Sequence, residues 1–206
     1  MTHEKTLGER LSARGLSRRS LLKYAAYTAS IMALPPTAAT AIAQGIAQAR
    51  RQSVIWLSFQ ECTGCTESIT RAAAPSIEDL IFDFISLDYH HTLQSVSGHA
   101  AEEARMAAME ENAGKYIVIV DGSVPVANGG VYSTIAGMSN VQMLEETVRD
   151  AFAVISVGTC AAFGGIPYAN PNPTGAVPIS ELVTDKPVIN ISGCPPIPEA
   201  MTGTIS

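Results

Sequence analysis

Four cysteines are the residues of this chain most able to do chemistry, and they fall in three separate stretches. The stretches are Glu61-Cys-Thr-Gly-Cys65, Ser156-Val-Gly-Thr-Cys160 and Gly193-Cys-Pro195. Each closely follows an apolar run of β type, and open α/β sheets bind their ligands at the carboxyl ends of the strands. Thiolates that converge there are typical ligands of a metal ion or an iron–sulfur cluster. The spacing therefore predicts such a site at one edge of a sheet.

The spacing leaves several interpretations open. An iron–sulfur cluster uses Cys thiolates, and a terminal Cys-Pro recurs in ferredoxin motifs. A structural zinc site with four cysteines usually has two close C-x2-C pairs, whereas here the second pair is split by thirty-three residues. A thioredoxin-type dithiol would use Cys62 and Cys65 alone, and an exported protein could instead form two disulfides. The cluster accounts best for all four residues, Cys62, Cys65, Cys160 and Cys194.

The elements that must position these cysteines alternate between strands and helices. Strands are predicted over Val54–Phe59, Leu80–Leu87, Tyr116–Val120, Ala153–Val157 and Pro187–Ile191. Helices are predicted over Glu67–Ala74, Ala100–Ala113 and Val141–Ala151, and a helix-like segment begins at Glu199. Strands that alternate with helices indicate parallel βαβ units. The sequence therefore predicts an α/β fold, a flavodoxin-like doubly wound parallel sheet, over residues 50–206.

The first forty-nine residues have a different character. The pair Arg18-Arg19 precedes an Ala-rich apolar run, and small-residue patterns end at Ala43 and Ala49. Pro35-Pro36 and Gln44 interrupt that run too early for a membrane span. We expect residues 1–49 to be a twin-arginine signal peptide, cleaved after Ala43 or Ala49, that directs the chain to the periplasm. The alternative is an ordinary amphipathic N-terminal helix.

The charge distribution also separates the leader from the rest of the chain. From Arg50 onward seven Lys and Arg face seventeen Asp and Glu, a formal charge of −10. This acidity argues against nucleic acid as a partner, because phosphate binding needs clustered basic residues. Twin-arginine export carries proteins that have already folded around a cofactor. Thiolates bound to a metal before export would be protected from oxidation, so the leader and the cysteines point to the same kind of protein.

Five stretches together resemble the small subunit of nickel–iron hydrogenases. They are Glu61-Cys-Thr-Gly-Cys-Thr-Glu-Ser68, Asp88-Tyr-His-His91, Gly158-Thr-Cys160, Asn172-Pro-Thr-Gly-Ala176 and Asn190-Ile-Ser-Gly-Cys-Pro-Pro-Ile-Pro-Glu199. The resemblance implies that Cys62, Cys65, Cys160 and Cys194 bind the proximal 4Fe–4S cluster and that the chain transfers electrons. It also implies a large subunit that holds the nickel–iron centre, a redox partner such as a cytochrome, and recognition by the twin-arginine export machinery.

The chain also departs from this family. No cysteine follows Cys194, so we expect the family's C-terminal domain, with its medial and distal clusters, to be absent and the chain to be a fragment or a short form. Oxygen-tolerant members carry extra cysteines near the proximal cluster. In this chain the matching positions look like Thr63-Gly64 and Ser133, none of which is a cysteine. The resemblance therefore implies the standard, oxygen-sensitive type.

Other residues are weaker candidates. By resemblance Glu61 joins a proton path, although it could equally accept backbone N–H bonds in its loop. Thr63 and Asp121 are candidates for the cluster surroundings, and His90 and His91 are expected to make polar contacts instead of binding the metal. The alternatives for the whole chain are the related iron–sulfur subunit of a quinone-reducing complex and a zinc-stabilised flavodoxin-like module without a redox role.

Overall fold

Five parallel strands form the central sheet of the computed structural model, which describes residues 6–13, 15–31, 33–35 and 37–206. These strands are β1 (Gln52–Ser58), β2 (Ile85–His90), β3 (Ile117–Asp121), β7 (Ala153–Val157) and β9 (Val188–Ile191). Two antiparallel pairs of two-residue strands stand apart from the sheet, β4 (Val124–Pro125) with β8 (Ala176–Val177) and β5 (Thr134–Ile135) with β6 (Met138–Ser139).

The order of the central strands defines the fold. Across the sheet it is β2-β1-β3-β7-β9, and every neighbouring pair is parallel. Counting only these five strands, this is the 2-1-3-4-5 order of flavodoxin-like doubly wound sheets. The predicted fold class is therefore confirmed.

Helices from residues 52–206 cover both faces of this sheet. The helices of the described chain as a whole are α1 (Leu7–Ala13), α2 (Arg18–Ile31), α3 (Ala38–Gln48), α4 (Gly64–Ile69), α5 (Ile77–Asp79), α6 (His99–Glu111), α7 (Asn140–Val148), α8 (Gly158–Phe163), α9 (Gly165–Tyr168), α10 (Ile179–Leu182) and α11 (Pro198–Ile205). On one face Ile55 and Leu57 of β1 belong to a core with Met143 and Leu144 of α7. On the other face Trp56 packs in a core with Leu80 and Met201. Because both faces are covered, the central strands β1, β3 and β7 are near-continuous apolar runs.

Two elements differ from the sequence prediction. The strand predicted over Leu80–Leu87 is a π-helical turn at Leu80–Phe84 followed by β2. The preceding α5 begins at the Ser76 cap, whose hydroxyl accepts the Asp79 N–H at 3.2 Å, and the helical path continues into the turn. The helix predicted over Glu67–Ala74 starts earlier and covers Gly64–Ile69, which places Cys65 in its first turn.

The chain divides into two compact units, one ending at Arg51 and the other running from Gln52 to Ser206. In the first unit α2 begins at Arg18, and Gln44 lies within α3. Residues 1–5, Arg14, Met32 and Pro36 of the predicted leader lie outside the described residues. No helix in the described part of the chain is both long and apolar enough to cross a membrane. The signal peptide over residues 1–49 stays a prediction.

Candidate functional site

The four cysteines meet at the carboxyl edge of the central sheet. Cys62 lies in the loop after β1, Cys160 in α8 after β7 and Cys194 in the loop after β9. These three side chains line one cavity of about 360 Å³, together with Gln60, Glu61, Ile166 and Pro167. Cys65 lies in the first turn of α4, buried, with its thiol directed at the Val157 carbonyl oxygen 3.8 Å away. Residues from three strand ends are thus gathered around one space.

Hydrogen bonds between the loops hold this arrangement. The Thr159 N–H donates to the Gly193 carbonyl at 2.8 Å, which joins the Cys160 and Cys194 segments. The Ser68 hydroxyl donates to the Pro196 carbonyl at 2.7 Å, which joins α4 to the Cys194 segment. The three cysteine-bearing stretches therefore form one connected surface, although Cys62 and Cys194 stand 132 positions apart in the chain.

Two glycines leave room for the sulfur atoms. Gly158 has φ +84°, and a Cβ there would collide with the Cys65 sulfur. Gly165 has φ +61°, and a Cβ there would lie 2.6 Å from the Cys160 sulfur. Both positions demand a residue that adopts positive φ at no steric cost and has no side chain. The backbone is shaped around the thiols.

Glu61 is the acidic group of the cavity. Its carboxylate accepts the N–H of Thr63, which has the left-handed conformation at φ 66°. Burial is the main reason why the pKa of Glu61 rises to about 7, the nearby Asp121 carboxylate raises it further, and the Thr63 bond opposes the rise. The backbone contact expected as one alternative is thus present, and the proton path implied by the resemblance stays a prediction.

Asp121 lies behind the cavity and is fully buried, outside its lining. Its carboxylate accepts the Trp56 indole N–H at 3.1 Å and the Thr66 hydroxyl at 3.3 Å. Burial raises the pKa of Asp121, and these bonds oppose the rise. Because Thr66 follows Cys65, the carboxylate positions α4 from behind. Thr63 is exposed and likewise outside the lining.

All four cysteines lie within the described residues, and each is a free thiol. Burial is the largest of the causes that raise the pKa of Cys65 to about 12, followed by the charges of Asp121 and Glu61. Burial also raises the pKa of Cys160. These two thiols therefore hold their protons firmly until a metal displaces them.

The thiols are the metal-binding donors of this edge. Three of them surround an open cavity, and the charges of two, Cys62 and Cys160, influence the pKa of the fourth, Cys65. Within residues 6–13, 15–31, 33–35 and 37–206, no three His, Cys, Asp or Glu side chains form a compact ligand set for one metal ion. Four thiols are the donor type that holds 4Fe–4S clusters.

The two histidines make contacts within the chain and do not line the cysteine cavity. The Nδ1 atom of His91 accepts the Ser58 N–H at 2.8 Å, where β1 extends past the end of β2. The Nδ1 atom of His90 accepts the Thr92 N–H at 3.0 Å and the Leu93 N–H at 3.3 Å. Both rings therefore satisfy backbone donors at the end of β2, as polar contacts and not as ligands.

Sequence reasoning missed three residues of the cavity, Gln60, Ile166 and Pro167. Gln60 carried a signal, since a polar side chain stands directly between a strand and the first cysteine. Ile166 and Pro167, which lie in α9, carried none, because an apolar pair is compatible with many roles.

The chain matches the family model described as NADH ubiquinone oxidoreductase, 20 Kd subunit, over residues 62–206. It is 41% identical over 206 residues to the hydrogenase-2 small chain of Escherichia coli (strain K12), covering all of this chain and 55% of that protein. It is 43% identical over 199 residues to the periplasmic [NiFe] hydrogenase small subunit 1 of Nitratidesulfovibrio vulgaris, covering 96% and 62%.

A solved structure agrees with these relatives. The [NiFeSe] hydrogenase of Desulfovibrio vulgaris Hildenborough superimposes with a TM-score of 0.72 at 39% identity, over 76% of this chain and 58% of that one. The chain therefore belongs to the family of the NADH ubiquinone oxidoreductase 20 kDa subunit, and it is similar over its whole length to the small subunits of hydrogenases. The recognition made from the sequence is confirmed. The chain spans between about half and two thirds of the length of these curated relatives.

Proposed function

We propose that this chain is the electron-transfer small subunit of a nickel–iron hydrogenase. In this proposal Cys62, Cys65, Cys160 and Cys194 bind the proximal 4Fe–4S cluster, and the large subunit splits or forms H2. The observation that carries the proposal is the meeting of all four cysteines, from three strand ends, at one sheet edge. When bound, such a cluster accepts and gives one electron at a time.

The protein's own residues would prepare this site. Cys65 is buried and Cys160 half-buried, and burial raises the pKa of both thiols, so metal binding must displace their protons. The hydrogen bonds from Thr159 to Gly193 and from Ser68 to Pro196 hold the three cysteine-bearing segments in place relative to one another before a cluster binds. Asp121 fixes α4 through Thr66.

The surroundings of the cavity support a large-subunit partner. Ile166 on its wall is 80% exposed, Ile197 beside the Cys194 segment is 68% exposed, and Phe163 at the end of α8 is 55% exposed. Obligate interfaces are more apolar than ordinary surface. We infer that the large subunit packs on these side chains and shields the cluster from water.

The alternative of a quinone-reducing complex has one observation in its favour, the description of the family model itself. The hydrogenase relatives weigh more, because they match residues 1–61 as well, which the family model does not cover. The split spacing of Cys160 and Cys194 disfavours the zinc-stabilised module, because four-cysteine zinc sites usually have two close C-x2-C pairs.

The proposal is tested on the chain purified anaerobically with its co-purifying partner. We expect close to four acid-labile sulfides per chain, four irons per chain in addition to the iron of the partner's nickel–iron centre, and H2-dependent reduction of a viologen dye. Zinc without sulfide would overturn the cluster assignment. A full cluster without dye reduction, but with quinone reduction, would move the chain to the alternative complex.

Localisation in the periplasm is part of the proposal and rests on the sequence. Arg18 and Arg19 stand at the start of α2, ahead of an Ala-rich segment, and twin arginines are the address read by that export route. Replacing both by lysine should leave the precursor in the cytoplasmic fraction. Unchanged mature protein in the periplasmic fraction would refute the assignment. A cytochrome as electron partner is proposed by resemblance alone, and co-purification of haem with the complex would support it.

A further inference from the structure

We propose that Gln60 donates an N–H hydrogen bond to a sulfur atom of the cysteine-bound cluster, and that Thr174 holds its amide in the donating orientation. This inference rests on the proposed function, because it requires a cluster on the four cysteines. It assigns a task to the Asn172–Ala176 stretch, which has no other role in the site.

The main chain of Gln60 is fixed. Its N–H donates to the Ser123 carbonyl at 3.1 Å, and its carbonyl accepts the Ser123 N–H at 3.1 Å. This two-bond bridge follows directly after β1. The Gln60 side chain is half-buried and lines the cavity with Cys62, Cys160 and Cys194.

The orientation of the Gln60 amide is set from a distant part of the chain. The Thr174 hydroxyl donates to Gln60 Oε1 at 3.2 Å. A primary amide carries its oxygen and its NH2 group on opposite sides, so an oxygen held by Thr174 turns Nε2 away from Thr174. Among the described residues, no acceptor is found for Nε2. The amide is thus anchored at its acceptor end and free at its donor end.

Thr174 is itself held firmly. The Asn172 side chain accepts the Ala176 N–H at 2.7 Å and donates to the Ala176 carbonyl at 3.0 Å, which closes the loop on itself. The Ala127 N–H donates to the Thr174 carbonyl at 3.1 Å. The loop therefore presents the Thr174 hydroxyl at a fixed position.

Gln60 is well suited to influence the cluster electronically. Of the described side chains that line the cavity, only Gln60 carries an N–H donor. Hydrogen bonds to the sulfur atoms are among the factors that set the reduction potential of an iron–sulfur cluster. A donor stabilises the reduced, more negative form more than the oxidised form. The Gln60 amide should therefore raise the reduction potential.

The test is a redox titration of the cluster followed by electron paramagnetic resonance, on the complex isolated anaerobically. Gln60→Leu removes the donor without adding charge. We expect the oxidised-to-reduced ratio at a fixed potential to rise about tenfold, a shift of about 59 mV to lower potential for a one-electron couple. Thr174→Val should shift the potential in the same direction by a smaller amount. Thr174→Ser, which keeps the hydroxyl, and Thr134→Val, on the exposed strand β5, should retain the parent value.

Iron and sulfide content separates the possible failures. A parent complex without iron and sulfide would overturn the proposed function itself. A fully loaded Gln60→Leu variant with the parent potential would overturn this inference alone. Parent-like behaviour of Thr174→Val beside a shifted Gln60→Leu would remove Thr174 from the proposal. If Gln60→Leu fails to bind the cluster, the reduction potentials of Thr174→Val and Thr174→Ser still test the proposal, because neither variant changes a residue of the cavity. Equal potentials for these two variants would then overturn it.

Discussion

Arg105 and the cysteine set differ in how completely their neighbours satisfy them. Arg105 is 1% exposed, and its guanidinium donates to Glu102 at 3.0 Å, to Glu146 at 3.0 Å and to Thr147 at 2.9 Å. At the cysteine edge, by contrast, Cys62 and Cys194 are exposed, and the only hydrogen bond that the Cys65 thiol donates among the described residues is a long one of 3.8 Å. Buried polar groups normally have partners. The Arg105 network therefore holds parts of the fold together, whereas the thiols contribute little to that task.

The position of each group in the fold agrees with this difference. Arg105 joins α6 to α7, and the Tyr89 hydroxyl on β2 also donates to Glu102, at 2.7 Å. The cysteines lie at loops after β1, β7 and β9, beside exposed apolar side chains. We therefore expect changes at the cysteines to abolish binding of the proposed cluster and to leave the fold intact. Changes at Arg105 should destabilise the fold and leave cluster binding intact.

The largest expected effect is the loss of the cluster when any one cysteine is changed. Cys62→Ser, Cys65→Ser, Cys160→Ser and Cys194→Ser should each abolish the broad visible absorption of the 4Fe–4S cluster, since each removes a thiolate ligand. The far-ultraviolet circular dichroism should stay that of the parent. A variant that retains the full cluster signal would remove its cysteine from the ligand set. Loss of secondary structure would contradict the proposed separation of chemistry from fold.

Arg105→Met should have the opposite outcome. Removing the cation leaves Glu102 and Glu146 without their shared partner. Because these carboxylates are 17% and 35% exposed, we expect a cost of about 3 kcal/mol of unfolding free energy, the lower end of the range for a buried ion pair. We expect urea unfolding to show a loss of this order while the cluster absorption of the folded fraction stays unchanged.

Arg71→Met is the matched control for Arg105→Met. Arg71 pairs with Glu67 on the surface, where its side chain is 73% exposed, and such pairs contribute about 0–1 kcal/mol. Equal losses for the two variants would show that the Arg105 network is no more than a surface contact.

His90 makes the stability of the fold depend on pH. Burial is the first cause, and the neighbouring His91 the second, of a pKa that falls from 6.5 to about 4. The unfolded chain then binds the proton more readily than the folded chain, so stability falls as the pH drops from about 6.5 toward 4. The full effect is at most about 3 kcal/mol.

His90→Asn tests this dependence. It keeps an acceptor for the Thr92 and Leu93 N–H groups but does not titrate. Urea unfolding between pH 4.5 and 7 should therefore show a smaller slope with pH than the parent shows. The remaining slope would come from His91, whose pKa burial also lowers, and from the carboxylates. Parallel curves for parent and variant would contradict the assignment to His90.

Apart from the Arg71 control, the smallest effect is expected at His91, which follows the end of β2. His91→Leu leaves the half-buried Ser58 N–H without its acceptor, at a cost of about 1–2 kcal/mol. His91→Asn can present an oxygen in place of Nδ1 and should recover most of that loss. If the leucine and asparagine variants unfold at the same urea concentration, the Ser58 bond contributes nothing measurable.

Much of the site could be predicted from the sequence because local signals coincide there. Each cysteine stretch directly follows an apolar β-type run, and parallel strands bring such ends to one edge. That reasoning also gave the fold class, since strands and helices alternate along the chain. The boundaries of α4 and β2 were missed, because a left-handed turn at Thr63 and a π-helical turn at Leu80–Phe84 are not visible as changes of hydrophobic period.

The sequence by itself determined which residues could bind a thiolate-bound group and on which edge they would lie. Only the tertiary structure decided that Cys65 stands behind the other three, that Asp121 positions α4 from below the surface, and that Thr174 reaches Gln60 across 114 positions of the chain. These relations depend on how the loops after β1, β7 and β9 pack against one another. Packing joins residues that are distant in sequence, and no periodicity or motif records such contacts.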